Sequence, residues 1–102
     1  MESSDFGRFS DPAVLILASL AGGEKHGYAM MEDIQATSGV RLGPGTLYGA
    51  ISRLEADGLI EALPAVERRR PYRITQQGAA FLRTYLASLQ KIVALGYARL
   101  QI

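Results

Sequence analysis

The sequence predicts a mainly α-helical fold with a small β-hairpin wing, and two observations support this prediction. A helix-like segment with apolar residues at Leu47, Ile51 and Leu54 runs directly into a strand-like segment, residues 59–63. An arginine-rich segment then leads to a second strand-like run and to a long segment of helical periodicity, residues 76–101. This order of elements predicts a winged helix-turn-helix followed by a long C-terminal helix.

The length and composition predict one small globular domain. The chain has 102 residues, of which 48% are hydrophobic. It contains no cysteine, which excludes disulfide bonds and thiolate metal sites. No apolar run approaches the roughly 20 residues that a membrane-spanning helix requires. We therefore expect a cytoplasmic protein with no membrane partner, no metal and no cofactor.

Charge is distributed unevenly along the chain, although the net charge is only +1. Residues 1–40 carry two basic and six acidic side chains, whereas residues 41–75 carry six basic and four acidic ones. The last segment, residues 76–102, adds three basic side chains and no acidic one. Positive charge is thus concentrated where the third helix and the hairpin lie, and a local basic patch is what phosphate contact requires.

The chain divides into three predicted parts. Residues 1–10 form a leader that we expect to be flexible, residues 11–75 form the winged helix-turn-helix domain, and residues 76–102 form a C-terminal dimerisation helix. Ser10 or Asp11 can cap the first helix. That helix is apolar on nearly all sides, so we expect it to be buried on more than one face.

Glycine and proline mark the next helix boundaries. Gly22 and Gly23 end the first helix, and the second helix, about residues 27–38, is expected to turn Asp33 outward and ends at Gly39. The third helix begins near Pro44, because proline suits the first turn of a helix. The third helix is expected to end at the Asp57-Gly58 pair.

The outward face of the third helix is the first candidate site. With the apolar stripe turned inward, at about 100° per residue, the opposite face is small, polar, aromatic and basic. Glycines permit close approach, hydroxyl groups can bond to phosphates or base edges, and arginine can bond to guanine through two donors. The alternative is a solvent-exposed face of poor helix formers, but each glycine costs roughly 1 kcal/mol relative to alanine. The face consists of Gly45, Thr46, Tyr48, Gly49, Ser52 and Arg53.

A run of three arginines at the hairpin, Arg68, Arg69 and Arg70, is the second candidate site, with Arg73 on the returning strand. Three adjacent side chains on a strand cannot all face one way, so we expect the tip to be exposed. One interpretation is a charged edge that blocks pairing between sheets. The other is a wing that contacts DNA phosphates. The two candidate sites occur in the order that a winged helix requires, which favours DNA contact.

The only histidine, His26, is expected to have a structural role at the start of the second helix. A zinc site would need further histidine or cysteine ligands, and a catalytic histidine would need a nucleophile beside it. Tyr28, Tyr72 and Tyr85 lie at positions of apolar stripes, so we expect them in the core. An enzyme is therefore not indicated.

The last helix is the longest predicted element, and Thr75 can cap it. Its apolar stripe is wider than one small core needs, so we expect a partner helix to cover part of it in a homodimer. The predicted dimer interface consists of Leu15, Leu82, Leu86, Leu89, Val93 and Leu100.

Several short motifs together resemble the PadR family of bacterial transcriptional regulators. Each motif is weak alone, but the set is specific and lies in order within residues 11–80. The motifs are His26-Gly27-Tyr28, Pro44-Gly45-Thr46-Leu47-Tyr48, Arg53-Leu54-Glu55, Asp57-Gly58-Leu59-Ile60, and Tyr72-Arg73-Ile74-Thr75 with Gly78.

The resemblance implies a winged-helix regulator that binds double-stranded DNA at a near-palindromic promoter site. It also implies a homodimer held by the first and last helices. Most members of the family repress, and some are released by small molecules such as phenolic acids. Carried onto this sequence, Thr46, Tyr48 and Arg53 become contacts of the recognition helix, and residues 68–70 become the wing.

Two features depart from the family pattern. Gly49-Ala50 replaces a bulkier or charged pair, so base reading is expected to rely more on DNA shape and backbone. The chain has no tryptophan, whereas some short members bind flat aromatic ligands between tryptophans. A small aromatic effector would therefore have other aromatic side chains to contact. These are Phe81, Tyr85, Tyr97 and Phe6 or Phe9.

Two alternatives to a sequence-specific regulator remain open. One is an architectural protein that binds DNA without sequence preference, which the ratio of operator to random-duplex affinity would distinguish. The other is an interaction or ligand-sensing module that has the fold without sequence-specific DNA binding. The acidic N-terminal half and the small side chains of the third helix are compatible with that alternative.

Overall fold

Four helices and a three-stranded antiparallel sheet make up the part of the chain, residues 11–101, that is described in this computed structural model. In chain order the elements are α1 (Pro12–Ala21), β1 (Lys25–His26), α2 (Gly27–Ser38), α3 (Pro44–Ala56), β2 (Ile60–Ala62), β3 (Pro71–Ile74) and α4 (Gln76–Leu100). The prediction of a mainly helical fold with a hairpin wing and a long C-terminal helix is confirmed. The predicted leader, with Phe6, Phe9 and Ser10, lies outside the described residues.

Side chains cap the helices where the sequence indicates. Asp11 Oδ1 accepts the Ala13 backbone N–H at 3.1 Å, and Thr75 Oγ1 accepts the Gly78 N–H at 3.0 Å. Such a cap contributes about 1 kcal/mol. At the start of α3, Gly43 offers no side-chain cap, so this helix depends on the packing of its buried face.

The sheet has β3 at its centre, paired antiparallel with β1 on one side and β2 on the other. The wing is the hairpin of β2 and β3, in which Ile60 lies opposite Ile74. The strand β1 was not predicted, because two residues that run straight into a helix show no periodicity. Its pairing, with Lys25 opposite Tyr72, ties the start of α2 to the base of the wing.

One apolar core lies between α1, α2, α3, the sheet and the first part of α4. The helix α1 is buried on more than one face, as expected from its composition. The loop between α2 and α3 also contributes two buried side chains, which helical periodicity does not indicate. The buried apolar residues are Val14, Ile16, Leu17, Leu20, Met30, Ile34, Val40, Leu42, Leu47, Ala50, Ile51, Leu54, Ile60 and Leu82.

The start of α4 packs closely on the connection between α3 and β2. Thr75 Oγ1 donates to the Gly58 carbonyl oxygen at 2.7 Å, and the Thr75 backbone N–H donates to the Leu59 carbonyl oxygen at 3.1 Å. A Cβ at Gly78 would overlap that same Leu59 carbonyl oxygen, so only glycine permits this approach. The junction fixes the direction in which α4 leaves the domain.

Three side chains lie elsewhere than the sequence indicated. Tyr28, expected in the core, is 56% exposed because the first turn of α2 faces a cleft beside the wing. Asp33, expected to face outward, is half-buried and accepts a hydrogen bond from Ser19 Oγ at 2.6 Å. Leu82, predicted in the dimer interface, is 7% exposed in the single chain, so it belongs to the core and has little surface to offer a partner.

Residues 11–101 contain neither a helix suited to span a membrane nor a group of side chains suited to hold a metal ion. No helix in this range is long and apolar enough to cross a membrane. The same residues include no group of three or more histidine, aspartate or glutamate side chains that could hold a metal ion.

Candidate nucleic-acid interface

The outward face of α3 is exposed along its length. All six residues of this helix that were predicted to contact DNA are exposed, and the largest of them, Tyr48, is 47% exposed. Leu47 and Leu54 are buried beneath them, so the helix has the one-sided pattern that its periodicity predicts. A Cβ added at Gly45 or Gly49 would meet no atom within 4 Å. The helix backbone is therefore accessible at both glycines.

The tip of the wing is a two-residue turn. Val66 and Arg69 exchange two backbone hydrogen bonds, of 2.8 and 2.9 Å, around Glu67 and Arg68. Both central residues have positive φ, 50° and 69°, as the tight turns favoured in β-hairpins require. Because side chains are strained in this region, the hairpin pairing must hold the turn in place. The turn places Arg68 at the tip and Arg69 on the returning limb.

The wing arginines differ in their partners. Arg73 Nε lies 2.6 Å from Glu61 Oε2 on the neighbouring strand, and Arg70 donates to the Leu63 carbonyl oxygen at 2.8 Å. The exposed Arg73–Glu61 ion pair contributes at most about 1 kcal/mol. Within residues 11–101, Arg68 makes neither a hydrogen bond nor an ion pair. The full charge of Arg68 is therefore available to an outside partner.

A cleft of about 350 Å³ lies between the start of α2, the outward face of α3 and the wing. Both predicted sites contribute to it, since Tyr48 and all three wing-tip arginines line it. Burial raises the pKa of the Tyr72 phenol, which also lines the cleft; nearby Glu55 and Tyr48 raise it as well, and Arg70 lowers it. Tyr72 therefore keeps its proton at neutral pH. The lining residues are His26, Gly27, Tyr28, Tyr48, Arg68, Arg69, Arg70 and Tyr72.

Besides Tyr72 of the wing itself, three residues of this cleft were not predicted to belong to the site, namely His26, Gly27 and Tyr28. The predicted structural role of His26 is confirmed, because its Nδ1 accepts the Ala29 backbone N–H at 3.3 Å as the cap of α2. Its other ring nitrogen, Nε2, lies 3.1 Å from Arg69 Nη1. The pairing of β1 with β3 carries these residues to the wing, and the sequence has no signal for so short a strand.

The apolar stripe of α4 is a second surface, and no other segment of residues 11–101 covers it. Leu86, Val93 and Leu100 are 45%, 55% and 66% exposed, whereas Leu15 and Leu89 are half-buried. At roughly 100° per residue, the stripe residues of α4 lie within about 60° of one another around the helix axis. Each buried apolar Å² contributes about 25 cal/mol, so covering this stripe would be favourable.

Comparisons with known proteins point to one family. Residues 16–84 match the transcriptional regulator PadR-like family. Over 83% of its length the chain is 42% identical to an uncharacterized 37.1 kDa protein in transposon TN4556 of Streptomyces fradiae, but it spans only 25% of that protein. It is 38% identical to the transcriptional regulator Rv3488 of Mycobacterium tuberculosis, over 76% of this chain and 74% of that one. The crystal structure of a PadR family transcription regulator from Clostridium difficile R20291 is 26% identical, with a TM-score of 0.79 over 87% of this chain and 97% of that chain.

Proposed function

Since this chain belongs to the PadR-like family of transcriptional regulators, we propose that it acts as a homodimeric repressor at a near-palindromic promoter site. In this proposal α3 enters the major groove as the recognition helix, and the wing contacts the phosphates beside it. The observation that carries the proposal is the cleft around which Tyr48 and the wing arginines lie together. A helix for base edges and a basic loop for phosphates, on one face, suit a duplex.

The residues of α3 are given roles by their chemistry. Arg53 is the side chain that can bond to guanine through two donors, and Thr46, Tyr48 and Ser52 offer hydroxyl groups to phosphates or bases. The open surface at Gly49 lets the helix backbone approach the duplex. Because few side chains on this face are long, we propose that operator selection also depends on DNA shape.

A homodimer is proposed because burial of the exposed apolar stripe of α4 against a second chain would be favourable. In the dimer the stripe of one chain packs on that of its partner, with α1 at the edge of the interface. The two recognition helices would then reach successive major grooves about 34–36 Å apart, which suits a near-palindrome. The interface proposed is Leu15, Leu86, Leu89, Val93 and Leu100, without Leu82.

A small aromatic effector is proposed to act through the same helix. Phe81 and Tyr85 are in contact, with ring centroids 6.2 Å apart, and Tyr97 is 66% exposed further along α4. A ligand held against these rings at the dimer interface would change the angle of α4. That change would alter the distance between the recognition helices, and so the affinity for the operator. A cytoplasmic location stays a prediction of this proposal.

The test is binding of the purified protein to the DNA upstream of its own gene. A scrambled duplex of equal composition is the control, and both are titrated over a salt series. We expect one dimer per near-palindrome and an operator affinity at least about 10³-fold higher than that for the scrambled duplex. Equal, weak binding to both would favour an architectural protein, and no binding to either would favour an interaction or ligand-sensing module.

A further inference from the structure

The cleft beside the wing contains a conflict between hydrogen-bond donors. His26 Nδ1 accepts the Ala29 backbone N–H at 3.3 Å, while His26 Nε2 lies 3.1 Å from Arg69 Nη1. A guanidinium group only donates, and a neutral imidazole has one unprotonated nitrogen. The ring can therefore accept from Ala29 or from Arg69, but not from both.

The helix cap is the contact that the ring keeps. The Ala29 N–H lies in the first turn of α2, where backbone donors have no partner within the helix, so a side-chain cap there stabilises the helix. Arg69 is exposed, so water can solvate its guanidinium. When Nδ1 accepts, the proton of the ring resides on Nε2. The Nε2–H of His26 and the guanidinium of Arg69 are then two donors that face each other.

Within residues 11–101, the lining of the cleft around this pair offers no carboxylate that could accept from it. Among the residues that line the cleft there are three arginines and three tyrosines, and no aspartate or glutamate. An anionic oxygen between Nε2–H and the guanidinium would accept from both groups and replace the conflict with two charge-assisted hydrogen bonds. The arrangement therefore favours an anion over a neutral ligand.

We propose that this cleft binds one phosphate group of the DNA backbone, with the His26 Nε2–H and the Arg69 guanidinium donating to the same phosphate oxygen. The inference rests on the proposed function, because it takes the phosphate from the duplex that α3 and the wing bind. It adds His26, otherwise a helix cap, to the residues that contact DNA. It also couples the position of the wing to the start of α2.

The substitution His26→Asn separates the two functions of the ring. Asparagine is a good N-cap residue, so its amide oxygen can replace Nδ1, but it has no donor at the position of Nε2. We expect a thermal unfolding midpoint within about 2 °C of the wild type. We expect affinity to fall by about 3- to 10-fold, equally for the operator and the scrambled duplex, because phosphate contacts carry no sequence information.

A modified duplex gives a readout that a merely structural histidine would not change. A methylphosphonate placed at one backbone position at a time removes the charge of that phosphate. At the contacted position, the methylphosphonate should weaken binding by the wild type more than binding by His26→Asn, because the variant has already lost the His26 contact and keeps only that of Arg69. Losses that add at every position would overturn the inference.

The ring itself can be observed, because His26 is the only histidine of the chain. We expect its ¹⁵N signals to show the Nε2–H tautomer in the free protein and to shift at Nε2 when DNA is added. A proton on Nδ1 in the free protein would overturn the inference, since the ring would then accept from Arg69. A saturable shift with inorganic phosphate but none with DNA would assign the site to free phosphate, and would also overturn it.

The outcome for this site differs from the outcome for the proposed function. If the wild type binds its operator and His26→Asn binds it equally well, the phosphate site is wrong and the regulator proposal stands. If the wild type binds no duplex, both the regulator proposal and a DNA phosphate in this cleft are wrong.

Discussion

Tyr48 of α3 lies directly on Gly27 of α2: a Cβ at Gly27 would overlap the ring and the hydroxyl oxygen of Tyr48. The contact holds the aromatic side chain of the proposed recognition helix against the first turn of the neighbouring helix. Both residues line the cleft beside the wing. The glycine therefore positions a tyrosine that the proposal places at the DNA.

Gly27→Ala is expected to move Tyr48 without unfolding the protein. The Tyr48 side chain is 47% exposed, so its ring can swing outward. The free energy of unfolding, measured with urea, should change by less than about 1 kcal/mol. Operator affinity should fall to that of Tyr48→Ala, and the double variant should bind no worse than Tyr48→Ala alone. Additive losses would show that the glycine acts independently of the tyrosine.

Gly78→Ala is expected to destabilise the fold by about 1–3 kcal/mol or more. The atom that a Cβ would overlap is the backbone carbonyl oxygen of Leu59, which cannot swing away as a side chain can. Gly49→Ala is the matched control, because it also replaces a glycine inside a helix. The Cβ added at Gly49 would meet no described atom within 4 Å. This substitution should stabilise the protein by up to about 1 kcal/mol. Similar unfolding midpoints for the two variants would contradict the close packing at Gly78.

Removing charge from the wing is expected to weaken DNA binding by reducing the number of phosphates that the wing neutralises. Arg68→Ala should lower the slope of log affinity against log salt by about 0.9. Arg73→Ala is the control on the same hairpin, and it should change the slope little because its guanidinium pairs with Glu61 at 2.6 Å. The triple substitution to alanine at residues 68–70 should abolish most of the salt dependence that the wing contributes. An unchanged slope in the triple variant would show that the wing does not contact DNA phosphates.

Val93→Glu is expected to convert the proposed dimer into a monomer. The side chain lies in the middle of the exposed stripe of α4, where a buried carboxylate without a partner would be costly. Thr84→Glu is the control, because at about 100° per residue it lies on the opposite side of the same helix. Sedimentation equilibrium should show a monomer for the first variant and a dimer for the second. A dimer in both would place the interface elsewhere.

The helices and the two parts of the proposed DNA site were predictable because their signals are local. The cap at Asp11, the left-handed Gly39 and the cap at Thr75 are found where the residue types predict them. The outward face of α3 follows from a stripe of apolar residues one turn apart. The arginines of the wing are adjacent in the chain, so their exposure could be inferred without the fold.

What the sequence by itself determined is thus the order of the four helices and the two hairpin strands, their approximate boundaries and the exposed residues of α3 and the wing. Only the tertiary structure decided that Leu82 is buried in the core, that Tyr28 is exposed and that His26 faces Arg69. The pairing of β1 with β3 and the packing of α2 on α3 bring together residues far apart in the chain. Such contacts depend on how elements pack in three dimensions, and no periodicity within a single segment encodes them.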